Sequence, residues 1–137
     1  NQRLQASHAA FMLQQGFLKR PPHVQFVLGI LGGAPASLDN LLFFHRAATS
    51  AWGEFTWSVC AAGRFEMPMC THCLLMGGNA RVGMEDALSI GKGTPAKSNA
   101  ELISKIIRIA KEFDIEPATP AEARQMLGLK GISKVGF

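Results

Sequence analysis

The run Arg81-Val82-Gly83-Met84-Glu85-Asp86 sets a guanidinium a few residues ahead of two adjacent carboxylates. A nearby arginine keeps a carboxylate ionised by charge pairing. One ionised carboxylate can ligate a metal ion while its neighbour acts as a general base. Side chains alternate along a strand, so a strand here puts Arg81, Gly83 and Glu85 on one face and Val82 and Met84 on the other. Gly83 would leave room beside the backbone between the two charges. A plain ion pair at a strand end accounts for the same residues, and the pattern alone leaves both readings open.

A second candidate is Met69-Cys70-Thr71-His72-Cys73, which has the look of a metal clip or a redox pair at a helix start. At roughly 100° per residue Cys70 and Cys73 lie about 60° apart, but His72 lies about 160° from Cys70, so one ion cannot easily take all three. No second CxxC accompanies them, and Cys60 falls in an apolar run. Met69, Cys73 and Met76 recur at helical spacing, which favours small apolar packing. His8, His23 and His45 show no ligand-like pairing. Gly32-Gly33 precedes a helix that Ser37 can cap, so free amides there are weak candidates for an anionic cofactor. Arg64 falls at the same end of the expected sheet and is a candidate of the same kind.

The elements that would position these residues alternate. A helix is predicted over Leu4 to Leu18, stopped by Pro21-Pro22. The run Val24 to Ile30 reads as a strand buried on both faces, and Phe55 to Ala61 as a second. Between them a helix runs from Leu38 to about Ala48. Pro68 suits the first residue of a third helix that ends before Gly77-Gly78. Ala80 to Met84 reads as a third strand. Ser98 with Glu101 is a capping box opening an amphipathic helix faced by Leu102, Ile103, Ile106, Ile107, Ala110 and Phe113. Thr119 with Glu122 opens a last short helix that stops at Gly128.

Such alternation, with about 25–30 residues between strands, implies a parallel sheet covered by helices. A (β/α)₈ barrel needs roughly 250 residues. The expected fold is therefore α/β, the carboxyl-terminal half of a TIM barrel, and residues 1–137 form a single partial domain. Standing alone, a three-stranded layer would leave apolar strand edges exposed. The carboxyl ends of barrel strands carry the catalytic groups, and there Glu85 and Asp86 fall.

The 137 residues are 47% hydrophobic and 18% charged, enough for a sizeable core, and no apolar run approaches a membrane span. The net charge of +4 is spread without a basic block interleaved with aromatics, so neither a nucleic acid nor a membrane is expected as partner. Three cysteines do not make a disulfide framework and suit a reducing, cytoplasmic setting. The first residue is Asn, and the expectation is a piece of a longer gene product.

In order, VQFVLGILGGAPAS, WSVCAAGR, GGNARVGMED and TPAEARQMLGL resemble the carboxyl half of the β-keto acid cleavage enzymes, from about Phe17 to the carboxyl end. The resemblance implies a zinc-dependent (β/α)₈ barrel that converts a β-keto acid and acetyl-CoA into acetoacetate and a new CoA thioester. It implies Glu85 as a zinc ligand, Asp86 as the catalytic base and Arg81 as its assistant. The partners implied are a small β-keto acid and a CoA thioester, in a homo-oligomer. The family's two other zinc ligands form a His-x-His pair far upstream, and this chain has no His-x-His. As given, it is expected to be inactive. Two other readings stand beside this one: a thiol redox or cysteine-metal module built on Cys70 and Cys73, and a non-catalytic α/β fragment that needs a partner.

Overall fold

The apolar run after Pro21-Pro22 forms β1 (His23–Leu28), and the next forms β2 (Thr56–Ala61), in a computed structural model that describes residues 8, 10–18, 21–131 and 135. They pair in parallel from His23 against Thr56 to Leu28 against Ala61. The short β3 (Asn79–Ala80) adds in parallel on the far side of β2, giving the order β1-β2-β3. Helix α1 (Leu38–Trp52) connects β1 to β2, and a 3₁₀ turn (Gly63–Phe65) followed by α2 (Glu66–Leu75) connects β2 to β3. A small antiparallel hairpin, β4 (Ser89–Gly91) and β5 (Thr94–Pro95), leads to α3 (Asn99–Lys111) and α4 (Pro120–Met126).

Three of the helices start where a side chain satisfies a first-turn amide. Ser37 Oγ accepts from Asn40 N at 3.3 Å, and Ser98 Oγ accepts from Glu101 N at 3.3 Å. At α4 the capping box is complete: Thr119 Oγ1 accepts from Glu122 N, and Glu122 Oε2 accepts from Thr119 N at 2.7 Å. At α3 the reciprocal bond differs, since Glu101 accepts from the amide of Lys97, one residue earlier. Helix α1 runs past Ala48 to Trp52 and stops at Gly53, whose φ of 76° admits glycine readily.

The core lies between the sheet and the helices. Phe26 and Leu28 of β1 and Trp57, Val59 and Ala61 of β2 pack on Leu41, Ala48 and Trp52 of α1 and on Met69 and Cys73 of α2. The Phe26 ring stands 5.7 Å from Trp57 and 5.9 Å from Phe44. Helix α3 buries Leu102, Ile106 and Ala110, whereas Ile103 and Phe113 of its expected face are exposed.

Several expectations are corrected. β1 is buried on one face only: His23, Gln25 and Val27 are exposed where burial on both faces was expected. The third strand is not Ala80 to Met84 but two residues long. Arg81 N still bonds Val59 O at 2.9 Å, but the Gly83 and Met84 amides turn to side chains and Met84–Asp86 forms a turn. Arg81, Gly83 and Glu85 therefore do not share a strand face. Helix α2 begins at Glu66, with Pro68 third, a first-turn place that proline tolerates. Residues 10–14 are helical, and the chain leaves the helix before Gly16; residues 4–7 and 9 of the expected first helix lie outside the described residues.

Candidate active site

The parallel order places three connections at one end of the sheet: 29–37 after β1, 62–65 after β2 and 81–88 after β3. The strand-to-turn segment Arg81–Asp86 folds back so that one nitrogen, Arg81 Nη2, meets both acids. It donates to Glu85 Oε2 at 2.8 Å and lies 3.3 Å from Asp86 Oδ2. The second contact is an ion pair without hydrogen-bond alignment, so Asp86 Oδ2 keeps its lone pairs free of a directed donor. The two carboxylates differ in access. The Glu85 side chain is 82% exposed and that of Asp86 12%. One acid thus points to solvent while the other is largely enclosed and ion-paired. Asp86 raises the Arg81 guanidinium further above its ordinary range, which keeps it a permanent cation.

A residue that sequence reasoning missed completes the group. Glu66, in the first turn of α2, is 1% exposed. Its Oε1 accepts from Gly83 N at 2.8 Å, and its Oε2 has no hydrogen-bond partner. Burial pushes the Glu66 carboxyl up, the Gly83 amide opposes this, and the charges of Asp86 and Lys105 push up and down respectively. A signal for it was present. Glu66, Met69, Cys70 and Cys73 fall at i, i+3, i+4 and i+7, and all four are buried, so an acid heads an apolar stripe. Asn99, also missed, accepts from Met84 N through Oδ1 at 2.7 Å. Part of the room left by Gly83 is used by Asn99, whose Oδ1 would stand 3.4 Å from a Cβ placed there.

The other candidates lie apart. Gly32, with φ of 79°, and Gly33, whose amide donates to Ile30 O at 2.9 Å, form a tight exposed turn after β1. Arg64 is exposed after β2, its guanidinium 4.8 Å from the centre of the Phe65 ring. Among the described residues no hydrogen bond or ion pair joins them to Arg81, Glu85 or Asp86.

Cys60, Cys70 and Cys73 are free and buried. Cys70 Sγ lies 3.5 Å from Val59 O and 3.3 Å from Arg81 O, and Cys73 Sγ donates to Asn79 O at 3.1 Å. Burial pushes the Cys70 and Cys73 thiols up to about 12, so neither is a thiolate nucleophile near neutral pH. His45 stacks edge-on against Trp57 at 4.8 Å, and His23 sits between the Thr56 and Ser58 hydroxyls, 2.9 Å and 3.2 Å away. Both imidazoles are engaged structurally.

Among the described residues no three His, Cys, Asp or Glu side chains are grouped to hold a metal ion. Glu85 fits a hard or borderline cation in kind, with one carboxylate oxygen not taken by Arg81, but a catalytic zinc takes three protein ligands. No described helix is long and apolar enough to cross a membrane.

Residues 4–129 match the family described as beta-keto acid cleavage enzyme. The 3-keto-5-aminohexanoate cleavage enzyme of Acetoanaerobium sticklandii is 42% identical over 118 residues, 86% of this chain and 42% of that protein. Its namesake in Fusobacterium nucleatum is 44% identical over 117 residues, 85% of this chain and 41% of that protein. A 3,5-dioxohexanoate:acetyl-CoA acetone transferase of Paraburkholderia graminis is 40% identical over 129 residues, 93% of this chain and 42% of that protein. The chain thus spans about two fifths of the length of these curated relatives.

Proposed function

The chain belongs to the beta-keto acid cleavage enzyme family, and from that premise we propose that it is the carboxyl-terminal part of a (β/α)₈ barrel enzyme that exchanges acyl groups between a β-keto acid and acetyl-CoA. The observation that carries this reading is the single Arg81 nitrogen between an exposed Glu85 and a largely enclosed Asp86, at the carboxyl end of a parallel sheet.

In this reading Asp86 removes a proton from the carbon between the ketone and the carboxylate. The resulting enolate carbon attacks the acetyl carbonyl of acetyl-CoA, a carbon–carbon bond forms and CoA leaves as the thiolate. That thiolate attacks the original ketone carbon. The bond between this carbon and its neighbour breaks, and the departing carbanion takes the proton back from Asp86. The products are acetoacetate and a new CoA thioester, with the proton and electron pairs balanced. Arg81 orients Asp86 and balances its charge at the start of each turn. Glu85 would be one ligand of a zinc ion, with further ligands needed from outside these 137 residues; zinc, when bound, would supply a Lewis acid for enolate charge. Gly32, Gly33 and Arg64 are the candidates for the CoA side. A reducing, cytoplasmic setting suits the three free thiols.

The test uses the complete gene product. Asp86→Asn retains zinc by metal analysis and lowers kcat by about 10²–10⁴-fold, the range of a lost general base. Glu85→Gln loses zinc. Turnover near wild type in Asp86→Asn removes Asp86 as the base, and retained zinc in Glu85→Gln removes Glu85 as a ligand.

A further inference from the structure

β3 is only two residues long, so ladder hydrogen bonds end before the reactive acids begin. Three contacts from outside take over. The Gly83 amide donates to Glu66 Oε1 at 2.8 Å, the Met84 amide donates to Asn99 Oδ1 at 2.7 Å, and the Asp86 carbonyl accepts from Gly63 N at 2.7 Å. Two successive amides are thus gripped by side chains at the starts of two different helices, α2 and α3.

A first-turn acid favours the start of α2, but that need is met by an exposed carboxylate and does not call for burial. Asn99 follows Ser98, which already supplies the cap, and the Asn99 amide oxygen is spent on Met84. Glu66 is enclosed with one oxygen unpartnered, where a carboxylate is costly and an apolar residue would serve packing better. What it provides is a fixed acceptor for Gly83.

We propose that Glu66 and Asn99 are positioning residues of this site, fixing through the Gly83 and Met84 amides the backbone path that aims Glu85 and Asp86. They act without touching substrate. The kinetic consequence rests on the reaction proposed above; the structural one does not.

The complete gene product is compared as wild type, Glu66→Leu, Glu66→Gln, Asn99→Ala and Asn99→Asp. Amide-resolved hydrogen exchange reads the clamp directly. In Glu66→Leu the Gly83 amide exchanges at least about tenfold faster, and in Asn99→Ala the Met84 amide does the same, as local opening becomes easier. Glu66→Gln and Asn99→Asp keep an acceptor oxygen and keep the protection. With a β-keto acid and acetyl-CoA, the Glu66→Leu and Asn99→Ala proteins lose about ten- to a hundredfold in kcat with KM little changed, the mark of misplaced reacting groups. The conservative variants stay within about threefold of wild type. Unchanged exchange in both truncating variants overturns the clamp, whatever the reaction is. Faster exchange with unchanged kcat overturns the positioning role. A wild type with no such activity sinks the proposed reaction and leaves the exchange result to decide the clamp. Should Glu66→Leu not fold, the exposed Asn99 pair carries both readouts.

Discussion

Cys70 and Cys73 show how burial decides what a residue can do. Both thiols sit against backbone carbonyls, and enclosure lifts them from 9.0 to about 12. Cys60 is raised too, by its burial and then by the charge of Asp86. A raised folded-state value means that the folded protein holds the proton more tightly than the unfolded chain does. The stability this contributes is complete below 9.0 and is lost as pH climbs from there to about 12. Chemical denaturation at stepped pH should therefore show a steady fall in stability above about pH 9. At pH 8 iodoacetamide should leave both thiols unmodified in the native protein and label them in denaturant. Native labelling at the rate of a free thiol would contradict their enclosure.

Elements carry a different kind of constraint, and Gly78 is its sharpest case. It lies between α2 and β3, and a Cβ there would stand 2.5 Å from Cys73 Sγ and 2.7 Å from the Trp57 ring. Gly78→Ala should destabilise by about 1–3 kcal/mol, the usual cost of overpacking a filled core, measured by denaturant titration. A neutral result would mean that α2 and β2 can separate without loss. The same elements show what the sequence made legible. Caps at Ser37, Ser98 and Thr119 are local signals, so the helix starts they mark are as read. β3 is shorter than its apolar pattern predicts, and the Gly83 and Met84 amides beyond it bond Glu66 and Asn99, which are distant in sequence. Glu66 is hard to see in the sequence because Pro68 marks a helix start two residues later, which leaves the acid in an expected loop. Arg81, Glu85 and Asp86 stand out in the sequence by type and spacing. Their meeting, however, is made by a turn and not by strand alternation.

At the scale of the molecule the sheet has β1 and β3 as its edges. Among the described residues β1 pairs only with β2, and β3 only with β2. The face of β1 turned away from the helices, with His23, Gln25 and Val27, is open, and Ile30, Leu31 and Leu88 at the carboxyl end are exposed large apolar residues. An open edge beside uncovered apolar surface is a template for association. In a closed barrel both edges would pair with further strands and the open face would line the interior. As half of a barrel, this stretch in isolation would keep both edges and that face uncovered. Produced as the 137-residue chain alone, it should sediment well above its 14.8 kDa mass and bind a hydrophobic dye. The complete gene product should bind much less dye per mole, because the same surfaces are covered within one chain, and any assembly it forms should have a defined size. Sedimentation velocity over a dilution series, with dye titration, measures both. A dye-silent monomer of the short chain at tens of micromolar would mean that three strands and their helices suffice, and the half-barrel reading would fall.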